Sequence, residues 1–223
     1  MAAARSTSRR VGRPKTPVLS RELICETALH LLDALGENGA SMRDIATELG
    51  VRPSALYNHV RGRDDIFDGV RELVVARIDV SCFADRPWEE ALVIWADSYR
   101  GAFVAHPPTV TLFATRPIAP DAQTSHMYEV VVGALVDAGW PRERVLSIIV
   151  AIENFLIGST LDALAAPDMM DPGEREDVPK FSAAYSARDV MLDDMPGVSP
   201  ADDAYRLGLD ALIAGLRLEF DRM

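Results

Sequence analysis

Between positions 52 and 63 the chain gathers Arg52, Pro53, Ser54, Ala55, Tyr57, Asn58, His59 and Arg63, and Arg43 stands shortly before them. Serine and asparagine hydrogen-bond base edges, an alanine methyl can meet a thymine methyl, and His, Tyr and Arg reach phosphates. The chemistry on offer is recognition of a nucleic-acid duplex. A helix over residues 53–60 would span ~12 Å, the width of the major groove of B-DNA. No competing catalytic set is visible. There is no nucleophile elbow and no glycine-rich phosphate loop, and His30, His59, His106 and His126 are dispersed. These absences predict no enzyme, no catalytic residue, no metal and no cofactor.

Presenting such a face requires two short helices joined by a tight turn. Ser41 with Asp44 three residues on is a near-capping box for the first helix, and Gly50 supplies a left-handed turn. Ala46, four before that glycine, lets the helices cross closely. Ile45, Leu49, Val51, Leu56 and Val60 provide facing apolar sides, Pro53 opens the second helix, and Gly62 closes it. Upstream, Leu23, Ile24, Ala28, Leu31, Leu32 and Leu35 mark a helix capped by Ser20 and stopped at Gly36 or Gly39. Downstream, a helix beginning near Arg63 to Asp65 and carrying Ile66, Phe67, Val70, Leu73, Val74 and Ile78 is expected to reach about Phe83. A glycine-turned helix pair also occurs in bundles that never meet DNA.

Charge separates those alternatives. The whole chain carries −11, yet residues 1–63 hold ten Lys and Arg against six Asp and Glu, a net of +4, while the remainder carries −15. A basic head on an acidic body suits one domain that meets a polyanion and another kept off it. Residues 1–19, with five basic and no acidic residues, read as a flexible basic arm. Within it Gly12, Arg13, Pro14 and Lys15 suit either a tail that reads the minor groove or a solubilising tail.

The 223 residues allow two cores, with 48% hydrophobic and 26% charged residues typical of a soluble globular chain. The richest apolar stretch, residues 145–161, is interrupted by Glu153 and Asn154, so no membrane span is expected. Pro14 and Pro17 oppose a secretory signal, and the expected location is cytoplasmic. Cys25 and Cys82 sit in apolar helical patterns and read as reduced core residues.

Beyond Pro87 helical signals continue, with starts at Pro87, Asp121, Pro141 and Ser199, and stops at Pro107, Gly139 and Pro167. Residues 166–179 read as a loop before a weak helix over 181–192. No segment shows sustained strand alternation, so the fold class is all-α. Trp95, Tyr99, Phe103 and His106 form an i, i+4, i+8, i+11 stripe that is either a ligand-pocket wall or plain core. Phe113 and Arg116 follow in a proline-bracketed segment, where the arginine pairs an anionic ligand or lies at the surface. Glu153 and Asn154 are either pocket polar groups or interface hydrogen bonders, and Met127, Tyr128 and Val131 face a choice between pocket and core.

Over residues 41–68 the sequence resembles the TetR family of bacterial regulators. The resemblance rests on Ser41, Arg43, Ile45 and Ala46, the run Leu49, Gly50, Val51, then Leu56, Tyr57, His59 and Arg63. Val60 stands where the family more often has Phe, as in its tetracycline-repressor branch, and Arg63 keeps the charge of the usual Lys. The resemblance implies a three-helix helix-turn-helix domain over residues 20–64 and a larger ligand-binding and dimerisation domain over 65–223. It implies DNA contacts by Arg43, Ser54, Ala55, Tyr57, Asn58, His59 and Arg63. It further implies a small-molecule effector, a homodimer through the apolar faces of helices at 141–165 and 200–221, and repression of a roughly palindromic operator. The faces read for that dimer are Ile148, Ile152, Phe155, Ile157 and Leu161, with Leu207, Leu209, Leu212, Ile213, Leu216 and Phe220. The pocket candidates are Trp95, Tyr99, Phe103, His106, Phe113, Arg116, Tyr128 and Asn154.

Overall fold

The computed structural model describes residues 19–36, 39–114, 116–119 and 122–223, and these form ten α-helices. Arg13, Lys15 and the rest of the basic arm up to residue 18 lie outside the described residues, as does the helix start expected at Asp121.

Helix α1 (Arg21–Leu35) begins where the Ser20 hydroxyl accepts from the Leu23 amide, and ends at Gly36 with φ 71°. Its buried stripe, Ile24, Ala28, Leu31 and Leu32, packs on α4 (Arg63–Val75). The two helices cross closely because Gly69 faces Cys25. A Cβ at Gly69 would run into the Cys25 sulfur, so glycine is required by packing and not by backbone angle. Cys25 and Cys82 are both free and buried, as expected.

Between them lie α2 (Met42–Glu48) and α3 (Pro53–Leu56). The expected helix over 53–60 is shorter as regular α-helix. After Leu56 the Asn58 and His59 amides turn to Ala55 and Leu56, three residues back, while Val60 returns to Leu56. Tightening of this kind is the usual way a terminal turn closes its carbonyls. Helix α4 also stops early, at Val75 instead of near Phe83. The Asp79 carboxylate accepts from the Ser81 amide and hydroxyl, which turns the chain into a separate 3₁₀ turn, Ser81–Ala84.

The larger half contains α5 (Trp88–Val104), α6 (Pro108–Ala114), α7 (Thr124–Ala138), α8 (Arg142–Asp162), α9 (Pro179–Asp193) and α10 (Pro200–Phe220). Helix α6 occupies part of the proline-bracketed segment that holds Phe113. Pro108 opens it, where a missing N–H costs nothing. Helix α8 is central, packing on α5, α6, α7 and α10. It is long and apolar enough to span a bilayer by length and composition alone, with Glu153 the one charged residue between 145 and 161. Its Val145, Ile148, Ile149, Ile152 and Leu156 instead form one face of the subunit core. Helix α9 buries none of its residues.

The apolar faces of α8 and α10, expected to form one dimer surface, divide into two. Ile148, Ile152, Leu209 and Ile213 are buried within the subunit. Leu146, Val150 and Leu161 on α8, with Leu207 and Leu218 on α10, remain exposed, Leu207 at 72%. Helical phase separates the sets, since residues 146, 150 and 161 lie roughly a third of a turn around the helix from 145, 149 and 156.

Candidate functional site

The turn between α2 and α3 is built from hydrogen bonds that its sequence dictates. The Ser41 hydroxyl accepts from the Asp44 amide, and the Asp44 carboxylate accepts from the Ser41 amide and hydroxyl, a complete capping box. At the other end Gly50 takes φ 66°, its amide reaching Thr47 O and that of Val51 reaching Ala46 O. Those two bonds close the helix as a Schellman turn and aim α3 away from α2. Ile45, Ala46 and Leu56 beneath the turn are fully buried, and Val60 nearly so.

Such packing leaves the predicted contact set outside. Arg43, Arg52, Pro53, Ser54, Tyr57, Asn58, His59 and Arg63 are exposed, and Ala55 is half-buried. Tyr57, at 58%, is among the largest apolar surfaces the small domain offers to solvent. Arg63 also stacks its guanidinium 4.7 Å above the Phe67 ring. Asp65 fixes the entry to α4 by accepting from the Arg61 amide and from Arg21 at 2.9 Å. Burial would raise the Asp65 pKa, but these two partners outweigh it and hold the carboxyl below its ordinary value.

The second feature is a cavity of about 220 Å³ lined by α4, α5, α6, α7, α8 and the chain at Arg116 and Ile118. Of the predicted pocket residues it brings together Tyr99, Phe103, Phe113, Arg116 and Tyr128. Three others are elsewhere. Trp95 is fully buried core, meeting the Tyr99 ring edge-on at 5.5 Å. His106 lies beyond the end of α5, where its Nδ1 pairs with Asp33 of α1 at 2.8 Å. Asn154 is exposed on the outer side of α8. Adjacent helical residues diverge by about 100°, so only one of Glu153 and Asn154 can face inward, and it is Glu153.

Glu153 accepts a 2.6 Å hydrogen bond from the Tyr128 hydroxyl, and the Tyr99 hydroxyl lies near the same carboxyl. Burial raises the Glu153 pKa despite the two hydroxyls beside it. Burial, reinforced by that carboxylate, also raises both tyrosines, which stay neutral donors. An elevated carboxyl pKa in the folded state favours the protonated form. The stability it contributes is present below the ordinary glutamate value and is lost as pH rises through the raised one. Glu153→Gln keeps the acceptor for Tyr128 and removes that titration. We expect the variant to melt higher than the parent at pH 8 and equally at pH 4, as thermal scans by circular dichroism would show; equal melting at both would contradict the burial.

Sequence reasoning missed Arg71. It lines the cavity, is 5% exposed, and donates to Pro117 O at 2.8 Å and Arg116 O at 2.9 Å with its plane over Phe113. Burial lowers its pKa. On the next residue, the Glu72 carboxylate accepts from the Thr124 amide and, at 2.8 Å, from its hydroxyl. Arg116 reaches back to Asp64 in the first turn of α4 at 2.7 Å. Helix α4 thus carries Asp65, which braces the small domain, and Arg71 and Val75, which wall the cavity.

A helix-turn-helix with its polar face outward, on a helical body that carries a cavity, defines a DNA-binding regulator with a ligand domain. The sequence pattern of the tetR family of bacterial regulatory proteins matches residues 24–70, and that of the tetracyclin repressor-like C-terminal domain matches residues 84–219. The chain belongs to the TetR family and is a ligand-responsive DNA-binding transcriptional regulator. It is similar to an HTH-type transcriptional regulator of Saccharopolyspora erythraea, 28% identical over 206 residues that cover 90% of this chain and 85% of that one. It is similar also to the class A tetracycline repressor of Escherichia coli, 28% identical and covering 89% and 90%. Among solved structures, apo ActR from Streptomyces coelicolor is 25% identical with a TM-score of 0.71, covering 89% and 94%. A tetracycline repressor variant from Acinetobacter baumannii in complex with minocycline has a TM-score of 0.73 at 24% identity, covering 90% and 94%.

Proposed function

We propose that this chain is a repressor that, as a two-fold dimer, holds a roughly palindromic operator until a small molecule enters the cavity. Arg43, Arg52, Ser54, Ala55, Tyr57, Asn58, His59 and Arg63 make the contacts at each half-site, with the turn opened by Pro53 entering the major groove. The exposed apolar stripes of α8 and α10 supply the dimer surface, since contiguous apolar patches of this kind mark interaction sites. Asn154, set among Leu146, Val150 and Leu161, is then a hydrogen bonder at that interface. Arg13 and Lys15 in the basic arm add minor-groove and phosphate contacts.

The observation that carries this reading is the double membership of α4. The same helix braces the small domain through Asp65 and walls the cavity through Arg71 and Val75. An occupant that shifts the chain at residues 116–124 draws on Arg71, Glu72 and Asp64, all on α4. Release then needs only differential affinity between two arrangements, about 2.7 kcal/mol for a hundredfold weaker operator complex.

The Glu72 to Thr124 latch tests the route. Glu72→Ala removes charge-assisted bonds far from the DNA face, and we expect operator affinity to fall roughly tenfold with the dimer intact. The measurement is fluorescence anisotropy on a duplex chosen by selection, with mass by light scattering. Unchanged affinity would contradict coupling through α4.

A further inference from the structure

The charge of the cavity specifies the kind of molecule it takes, given the reading of that cavity as the effector site. Arg71 is 95% buried, yet both of its hydrogen bonds go to neutral main-chain carbonyls. Among the described residues no carboxylate stands within ion-pair distance of it. Glu153 is the one carboxyl among the lining residues, and the Tyr128 hydroxyl occupies it. Buried cations are ordinarily neutralised by a paired anion. Asp68 and Glu72 on its own helix act on it only from beyond ion-pair distance, so among the described residues no anion stands against it on the cavity side.

The walls beside this cation are aromatic. Tyr99 and Phe103 stack at 5.0 Å, and Phe113 lies under the Arg71 guanidinium. A cavity of about 150 Å³ holds a benzene ring, and sites for drug-sized ligands begin near 300 Å³, so 220 Å³ suits one or two fused rings. We propose that the effector is a compact aromatic acid whose carboxylate is received by Arg71 and whose ring lies against Tyr99, Phe103 and Phe113. The guanidinium fork suits a carboxylate because it can offer two parallel N–H donors.

Three probes with one ring system separate charge from fit: 2-naphthoate, neutral 2-naphthol and the cation 2-naphthylmethylammonium. Titrated calorimetrically into the full chain at neutral pH, naphthoate is expected to bind about tenfold more tightly than naphthol, and the ammonium not at all. Arg71→Met should bring naphthoate down to the naphthol level while naphthol affinity stays within about twofold, which reports an intact cavity. Arg71→Lys, which keeps the charge, should retain most of the preference. Equal binding of naphthoate and naphthol by the parent chain, or a preference that survives Arg71→Met, overturns the acid assignment and leaves the cavity reading standing. Failure of all three probes to bind the parent chain overturns both.

Discussion

Replacing Tyr57 with alanine is expected to weaken operator binding roughly a hundredfold while leaving the fold and the dimer unchanged. The side chain is 58% exposed and belongs to the outward face of the α2 and α3 pair, so its removal opens no cavity in Ile45, Ala46, Leu56 and Val60 beneath. A phosphate or base contact is worth about 1–1.5 kcal/mol, and a two-fold complex makes it twice, giving about 2–3 kcal/mol, or on the order of a hundredfold. Fluorescence anisotropy gives the affinity, and circular dichroism with light scattering gives the controls. An affinity within twofold of the parent would remove Tyr57 from the interface.

Leu207→Glu is expected to separate the dimer and abolish high-affinity operator binding without unfolding the subunit. Leu207 is 72% exposed in the isolated subunit, so it contributes nothing to the core formed by Tyr205, Leu209 and Ile213 on the other side of α10. In a two-fold interface the same surface meets its copy, so one substitution places two like charges where two leucines were. A chain of 24.4 kDa should then run at that mass instead of about twice it. Loss of the second half-site removes the effective concentration that links the two recognition segments, and a fall of at least about a hundredfold follows. A variant that keeps the dimer mass would place the interface elsewhere.

The DNA-facing half was legible because each of its slots is decided by local chemistry. Ser41 with Asp44 can cap only a helix start, Gly50 adopts the positive φ the turn demands, and Ala46 is small where the helices cross. Helix ends were less legible. The tightening after Leu56 and the stop at Val75 depend on bonds, such as those to Asp79, whose formation no periodicity encodes.

The cavity was half legible. Tyr99 and Phe103 are one turn apart on α5 and share a wall. Trp95 and His106 extend the same stripe, but one faces solid core and the other passes the helix end to reach Asp33. Arg71 was invisible for a different reason. It sits among Asp64, Asp65, Asp68 and Glu72, a charged run that reads as a solvent face until the chain at 116–117 folds over it. Glu153 and Asn154 are a polar pair in an apolar helix, and only the helical phase of α8 decides which points inward.

Selection of duplexes from a random DNA library by the full chain, run in parallel with the Tyr57→Ala variant, tests the central claim most directly. The account predicts enrichment of one two-fold symmetric motif by the parent, with half-sites about 10 base pairs apart or a multiple of that, and none by the variant. Enrichment of no motif by the parent, or of the same motif by both proteins, would contradict it.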